Sequence, residues 1–115
     1  MMTQSDMQVG VIGAGSWGTA LAFLLADKGY HVTLWSHGAA VATQINELHE
    51  NQSYLPGIEL LHSIRATTDL EEVCRHKSLI VTVTPSHVTR EVIGQAAPYL
   101  PEHTPIVSAT KGIEN

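Results

Sequence analysis

The chain has 115 residues, 43% apolar and 15% charged, the make-up of one soluble globular domain around a single core. Six basic residues stand against eleven acidic ones, and a net charge of −5 excludes a basic footprint for nucleic acid or an anionic membrane. Cys74 is alone, so no disulfide closes within the chain; this fits a reducing, cytoplasmic setting, and Cys74 reads as a small core residue.

Residues 1–7 have neither a basic start nor an apolar stretch, so they read as a disordered leader and not as a secretory signal. No apolar run is long enough to span a bilayer, and membrane insertion is not expected. The seven histidines include no pair three or four residues apart and none in a ligand-like spacing with Cys74, so no metal site is expected.

Gln8 to Ile12 is a short apolar run that ends at Gly13 and reads as a first strand. The spacing of Trp17, Leu21, Leu24, Leu25 and Lys28 predicts a helix from Ser16 to Lys28 with those residues on one face, ended by Gly29 in a left-handed conformation. His31 to Trp35 is a second strand, reached so soon that a right-handed parallel crossover is expected. Val41, Ile45 and Leu48 predict a second helix over Ala39 to Glu50, which the turn formers of Asn51 to Gly57 break, exposing Tyr54.

Ser63 to Thr67 is a weaker third strand. Thr68-Asp69-Leu70-Glu71 reads as a capping box opening a helix to about His76, with Leu70, Val73 and Cys74 inward. Leu79 to Val83 is an almost unbroken apolar run, as in a central strand covered on both faces. Ser86 then caps a helix whose stripe is Val88, Val92, Ile93 and Ala96, ended by Pro98 and Pro101, and Ile106 to Ala109 is a fifth strand.

The strand, glycine turn and helix around Gly13-Ala14-Gly15-Ser16-Trp17-Gly18 bring backbone N–H groups and a helix N-terminus against a phosphate. Gly13 permits the tight turn, Gly15 lets backbone approach a pyrophosphate, and Gly18 lets helix pack on strand. At the end of the second strand, Ser36 and His37 stand where an NAD-specific site carries Asp or Glu, which favours NADP or tolerance of both cofactors. A solvent-exposed His37 with no ligand is the alternative. The turns at Thr84-Pro85-Ser86 and Ala109-Thr110-Lys111-Gly112 emerge at the same sheet edge, so Lys111 is a candidate to bind a substrate phosphate or polarise a carbonyl.

The chain resembles the N-terminal domain of bacterial NAD(P)-dependent glycerol-3-phosphate dehydrogenases. The residues that carry this are Gly13-Ala14-Gly15-Ser16-Trp17-Gly18-Thr19-Ala20, Leu34-Trp35-Ser36-His37, Asn51 with Tyr54-Leu55-Pro56-Gly57, Thr84-Pro85-Ser86-His87 and Ser108-Ala109-Thr110-Lys111-Gly112-Ile113. The expected fold is α/β: a Rossmann-type, doubly wound parallel sheet in three layers with about five to six strands, filling residues 8–115. The resemblance implies hydride transfer between NAD(P)H and dihydroxyacetone phosphate, giving sn-glycerol 3-phosphate for glycerophospholipid synthesis.

It further implies that Ser16, Trp17 and Tyr54 contact the cofactor, that Pro85 lines it, that His37 lies at its adenosine ribose and that Lys111 faces nicotinamide and substrate. The family more often carries arginine near position 37. Its general-acid lysine belongs to a C-terminal substrate domain outside these residues, so the fragment alone is expected to be inactive, with homo-oligomer formation possible through an uncovered sheet edge. Rival readings are the first domain of another hydroxyacid or sugar-acid dehydrogenase, or a nucleotide-sensing module without catalysis.

Overall fold

Alternation along the first strand sorts the helices onto the two faces of one sheet. The computed structural model describes residues 7–84 and 86–109. Five strands, β1 (Gln8–Ile12), β2 (His31–Trp35), β3 (Ile64–Thr67), β4 (Leu79–Thr82) and β5 (Ile106–Ser108), run parallel in the order β3-β2-β1-β4-β5. The helices between them are α1 (Ser16–Asp27), α2 (Ala39–Leu48), α3 (Leu70–Cys74) and α4 (Ser86–Ala96). The register sets Ile12 beside Trp35 on one side and Thr82 on the other, so the strand ends that carry the turns are level.

Val9 and Val11 face α1 and α2, where they pack with Ala22, Ala26, Leu34 and Ile45. Ile12 faces the opposite layer, with Val73, Cys74, Val92 and Ala96 of α3 and α4. A strand covered on both faces needs apolar residues at nearly every position, which is why β4 reads as an almost continuous apolar run. This is the doubly wound, three-layer α/β arrangement expected from the sequence, with five strands among the described residues.

Mid-strand Gly10 has a packing reason of its own. A Cβ there would lie 2.1 Å from the Val73 carbonyl oxygen, so its absence lets α3 press directly on β1. On the other face the layer is thin for a related reason: the buried positions of α1 are Gly18, Thr19, Ala22 and Ala26.

The expected apolar stripe of α1 is therefore corrected. Trp17 and Leu24 are exposed, and Leu21 and Leu25 only flank the core, because small residues permit a closer approach to the sheet than large ones. Helix α2 also stops earlier than expected, at Leu48. His49 follows in a left-handed conformation (φ 55°), leaving Leu48 exposed.

The start of α3 is capped by Asp69, whose carboxylate accepts from Glu71 N–H, while the Thr67 hydroxyl accepts from Asp69 N–H. Thr68 takes no part in that cap, since the helix begins one residue later than the capping-box reading places it. Gly29 does follow α1 with a left-handed φ of 103°. Ser86 begins α4, but its capping side chain lies outside what is described, as do residues 1–6.

The edge strand β3 is closed by a side chain. Asn46 of α2 donates to the Ala66 carbonyl (2.9 Å) and accepts from the Ala66 N–H (2.8 Å), as a neighbouring strand would. The opposite edge differs: Ile106 and Val107 of β5 are about half exposed. Replacing Asn46 by Ala is expected to lower unfolding free energy in urea by roughly 1–2 kcal/mol and to raise light scattering at high concentration. An unchanged urea midpoint would show that water satisfies Ala66 equally well.

Cys74 is fully buried, and burial pushes its thiol pKa up against a smaller opposing pull from Lys77. The neutral thiol favours the folded state, a contribution present below the unfolded thiol's pKa and lost as pH rises through the higher folded one. At pH 8 a thiol reagent should label Cys74 rapidly in urea and very slowly in the native protein; fast native labelling would show that the α3–α4 layer opens.

Candidate functional site: the β1–α1 turn and its walls

In an open parallel sheet, the crevice lies where strand order reverses, outside the carboxyl ends. Here the chain moves from β1 outward through β2 and β3, then returns to the other side of β1 with β4 and β5. The reversal falls between β1 and β4, and the turn leaving β1 is the glycine-rich segment.

The three glycines of that turn have different reasons for being glycine. Gly13 takes a φ of 126°, donates its N–H to the Trp35 carbonyl (3.0 Å), and would place a Cβ 2.8 Å from the Val83 carbonyl oxygen. At Gly18 a Cβ would lie 1.8 Å from the Gly13 carbonyl oxygen, so the helix can seat on the turn only without a side chain. Gly15 has neither reason: its φ is −78°, open to any residue, and a Cβ there would meet nothing within 4 Å. The space a side chain would fill at Gly15 is left free beside the start of a helix.

Gly15 is the N-cap of α1, no side chain caps it, and the first turn carries no acidic residue. Those N-terminal amides and the positive end of the helix dipole are thus suited to an anion. The diphosphate of a dinucleotide fits such a cradle. No carboxylate in the first turn opposes it.

Around the cradle, side chains tie separate segments together. Ser16 is exposed, and its hydroxyl donates to the Tyr54 carbonyl at 2.6 Å. Trp17, 51% exposed, donates its indole N–H to the Ala109 carbonyl at 3.2 Å, linking the turn to the end of β5. The Tyr54 ring is equally exposed. Asn51, fully buried behind the turn, bonds to Ala14, Thr19 and Tyr54. Sequence reasoning counted Asn51 among the residues that carry the resemblance but gave it no contact, because its partners lie far away in the chain.

At the end of β2 the two adjacent candidates separate. Ser36 is buried, with its hydroxyl donating to the Gly38 carbonyl (2.9 Å) and accepting from the Gly38 N–H (3.3 Å), so it shapes the turn into α2. His37 is exposed, its ring edge-on to Trp35 with centroids 6.0 Å apart. Trp35 is itself pinned by an indole hydrogen bond to the Thr68 carbonyl. Of this pair, His37 alone keeps a side chain free to meet a ligand.

On the β4 side, the Thr84 and Thr89 hydroxyls lie 2.6 Å apart, and Thr89 also donates to the Thr84 carbonyl, joining the strand end to α4. Pro85 and Lys111 lie outside the described residues. The groups whose pKa is displaced by burial, Cys74 upward and Lys77 downward, follow α3 or end it, away from the glycine turn. Among the described residues no cluster of three or more His, Cys, Asp or Glu could hold a metal ion, and no helix is long and apolar enough to cross a membrane.

Residues 8–115 match the family model described as the NAD-dependent glycerol-3-phosphate dehydrogenase N-terminus. The chain is 49% identical over 107 residues to a glycerol-3-phosphate dehydrogenase [NAD(P)+] of Bacillus velezensis, covering 93% of this chain and 31% of the relative. It is 50% identical over 109 residues to its counterpart in Myxococcus xanthus, covering 95% and 32%. The crystal structure of glycerol-3-phosphate dehydrogenase from Coxiella burnetii superposes with a TM-score of 0.85 at 35% identity, covering 90% of this chain and 32% of that one. The chain thus spans about a third of the length of these relatives. It belongs to the family of N-terminal domains of NAD-dependent glycerol-3-phosphate dehydrogenases.

Proposed function

We propose that this chain is the cofactor-binding domain of an enzyme that interconverts dihydroxyacetone phosphate and sn-glycerol 3-phosphate, using NADP or NAD. The observation that carries it is Gly15, a glycine with no steric or conformational need inside the protein, placed where a diphosphate would approach an uncapped helix. Gly13 and Gly18 form the turn, and the amides of Ser16 and Trp17 face the diphosphate. A bound nicotinamide would supply or accept the hydride.

Trp17 and Tyr54, both exposed beside the turn, form the walls of the cofactor groove. His37 meets the adenosine ribose and donates to a 2′-phosphate when protonated, while Ser36 holds the turn that presents it. Pro85 lines the groove from the β4 side, and Lys111 approaches both nicotinamide and substrate phosphate, its ammonium polarising the substrate carbonyl. The proton-donating group belongs to the rest of the enzyme, so the chain alone binds cofactor without turnover. A cytoplasmic location and a role in glycerophospholipid synthesis follow from the same reading, and the half-exposed β5 edge suits contact with a second domain or a second copy.

Calorimetric titration is expected to show binding of both NADPH and NADH, with NADPH at least as tight. No binding of either at millimolar concentration would overturn the cofactor reading. Much tighter NADH would overturn the role given to His37.

Substitution separates the glycines. Gly15→Ala should cost stability only about 0.5–1 kcal/mol, as a weaker N-cap, yet weaken cofactor binding about tenfold or more. Gly18→Ala should destabilise the fold by at least ~2 kcal/mol, because the clash is with backbone. Equal affinity in wild type and Gly15→Ala would remove Gly15 from the site.

A further inference from the structure

Residues 49–60 form a loop pinched at its base, where Leu60 N–H donates to the His49 carbonyl at 2.7 Å. Its buried polar member, Asn51, is turned toward the glycine turn. The Asn51 amide nitrogen donates to the Ala14 carbonyl (3.0 Å) and to the Thr19 hydroxyl (2.9 Å), while its amide oxygen accepts from Tyr54 N–H (3.1 Å). Both N–H donors of the side chain are used, and Asn51 has no exposed surface.

The Ala14 carbonyl belongs to the peptide that joins Ala14 to Gly15. No cis peptide is present among the described residues, and in a planar trans peptide the C=O and the following N–H point to opposite sides. Holding the Ala14 oxygen toward the buried Asn51 therefore turns the Gly15 N–H the other way, out of the interior. Gly15 is where a side chain would meet only open space. A rotated peptide would offer a carbonyl oxygen to the anion instead of a donor.

The same side chain also holds Tyr54 N–H, and the Tyr54 carbonyl accepts the Ser16 hydroxyl. One buried amide thus fixes both the donor direction in the turn and the loop segment that carries an exposed aromatic ring. We propose that Asn51 is a positioning residue for the dinucleotide's diphosphate, acting through the Ala14–Gly15 peptide; this rests on the cofactor reading above. It touches no ligand itself, and its contribution is the orientation of a backbone donor before the anion arrives.

The test compares Asn51→Asp, which keeps shape and the Tyr54 contact but replaces the donor with a carboxylate, and Asn51→Ser, which is smaller and uncharged. Asn46→Ala serves as the control, since that asparagine also makes two backbone hydrogen bonds, at the β3 edge. Melting, NADH titration and the Gly15 amide resonance of ligand-free protein are measured for each.

Both Asn51 variants are expected to lose NADH affinity by about tenfold or more while still melting cooperatively, with the Gly15 amide resonance displaced. Asn46→Ala should lose stability yet bind within about threefold of wild type and leave that resonance in place. Folded Asn51 variants that bind like wild type, or an undisplaced Gly15 resonance, would overturn the proposal, as would an equal affinity loss in Asn46→Ala. If wild type binds neither NADH nor NADPH, the cofactor reading falls, and with it the ligand assigned to Asn51; the Gly15 resonance then reports separately whether Asn51 orients the peptide.

Discussion

The contact between α1 and the turn beneath it, with Gly18 against the Gly13 carbonyl, is the constraint from which the rest follows. A helix axis can come so near the end of a strand only if backbone meets backbone, and a Cβ at Gly18 would sit 1.8 Å from that oxygen. Once α1 is seated there, its small residues Ala22 and Ala26 can lie flat on β1 and β2. Its first amides are then left at the carboxyl edge of the sheet, with no side chain to cap them. Every helix leaves its first amides without intrahelical acceptors; the close packing decides where these stand, at the end of β1.

A second close approach works on the opposite face, where Gly10 admits the Val73 carbonyl. The two contacts clamp β1 between layers, and β1 is also the middle strand of the five. The turn that leaves it is thereby held by the best-buried element of the molecule, with Val9, Val11 and Ile12 almost inaccessible to solvent. A binding turn mounted this way loses little freedom when a ligand arrives. Ser16, Trp17 and Asn51 extend the same rigidity outward to the loop after α2 and to the end of β5.

The strands were legible because strands covered on both faces leave a compositional trace, and β1 and β2 begin and end at the expected residues. The turn was legible because two of its glycines, Gly13 and Gly18, stand where conformation and close packing admit no side chain. What sequence periodicity misjudged was depth: Leu24 and Trp17 fit a helical stripe, yet the sheet meets α1 on its small-residue side. Ser36 and His37 looked alike as donors, and only the fold shows that the first is spent on Gly38 while the second stays exposed. The role of Asn51 depends on contacts with residues 37 and 32 positions away, which no local pattern records. Lys111 and Pro85, which the sequence places in turns after strands, lie outside the described residues.

The asymmetry of the sheet's two edges has a consequence for growth. On the β3 side, the Asn46 amide occupies the hydrogen-bonding groups of Ala66, so an incoming strand would have to displace it. On the β5 side, among the described residues, no strand pairs with the outer edge, and Ile106 and Val107 stand partly open. The two edges are therefore unequal as templates: one has a hydrogen-bonding position filled by a side chain, and the other, next to the Ala109 carbonyl that Trp17 holds, stands open.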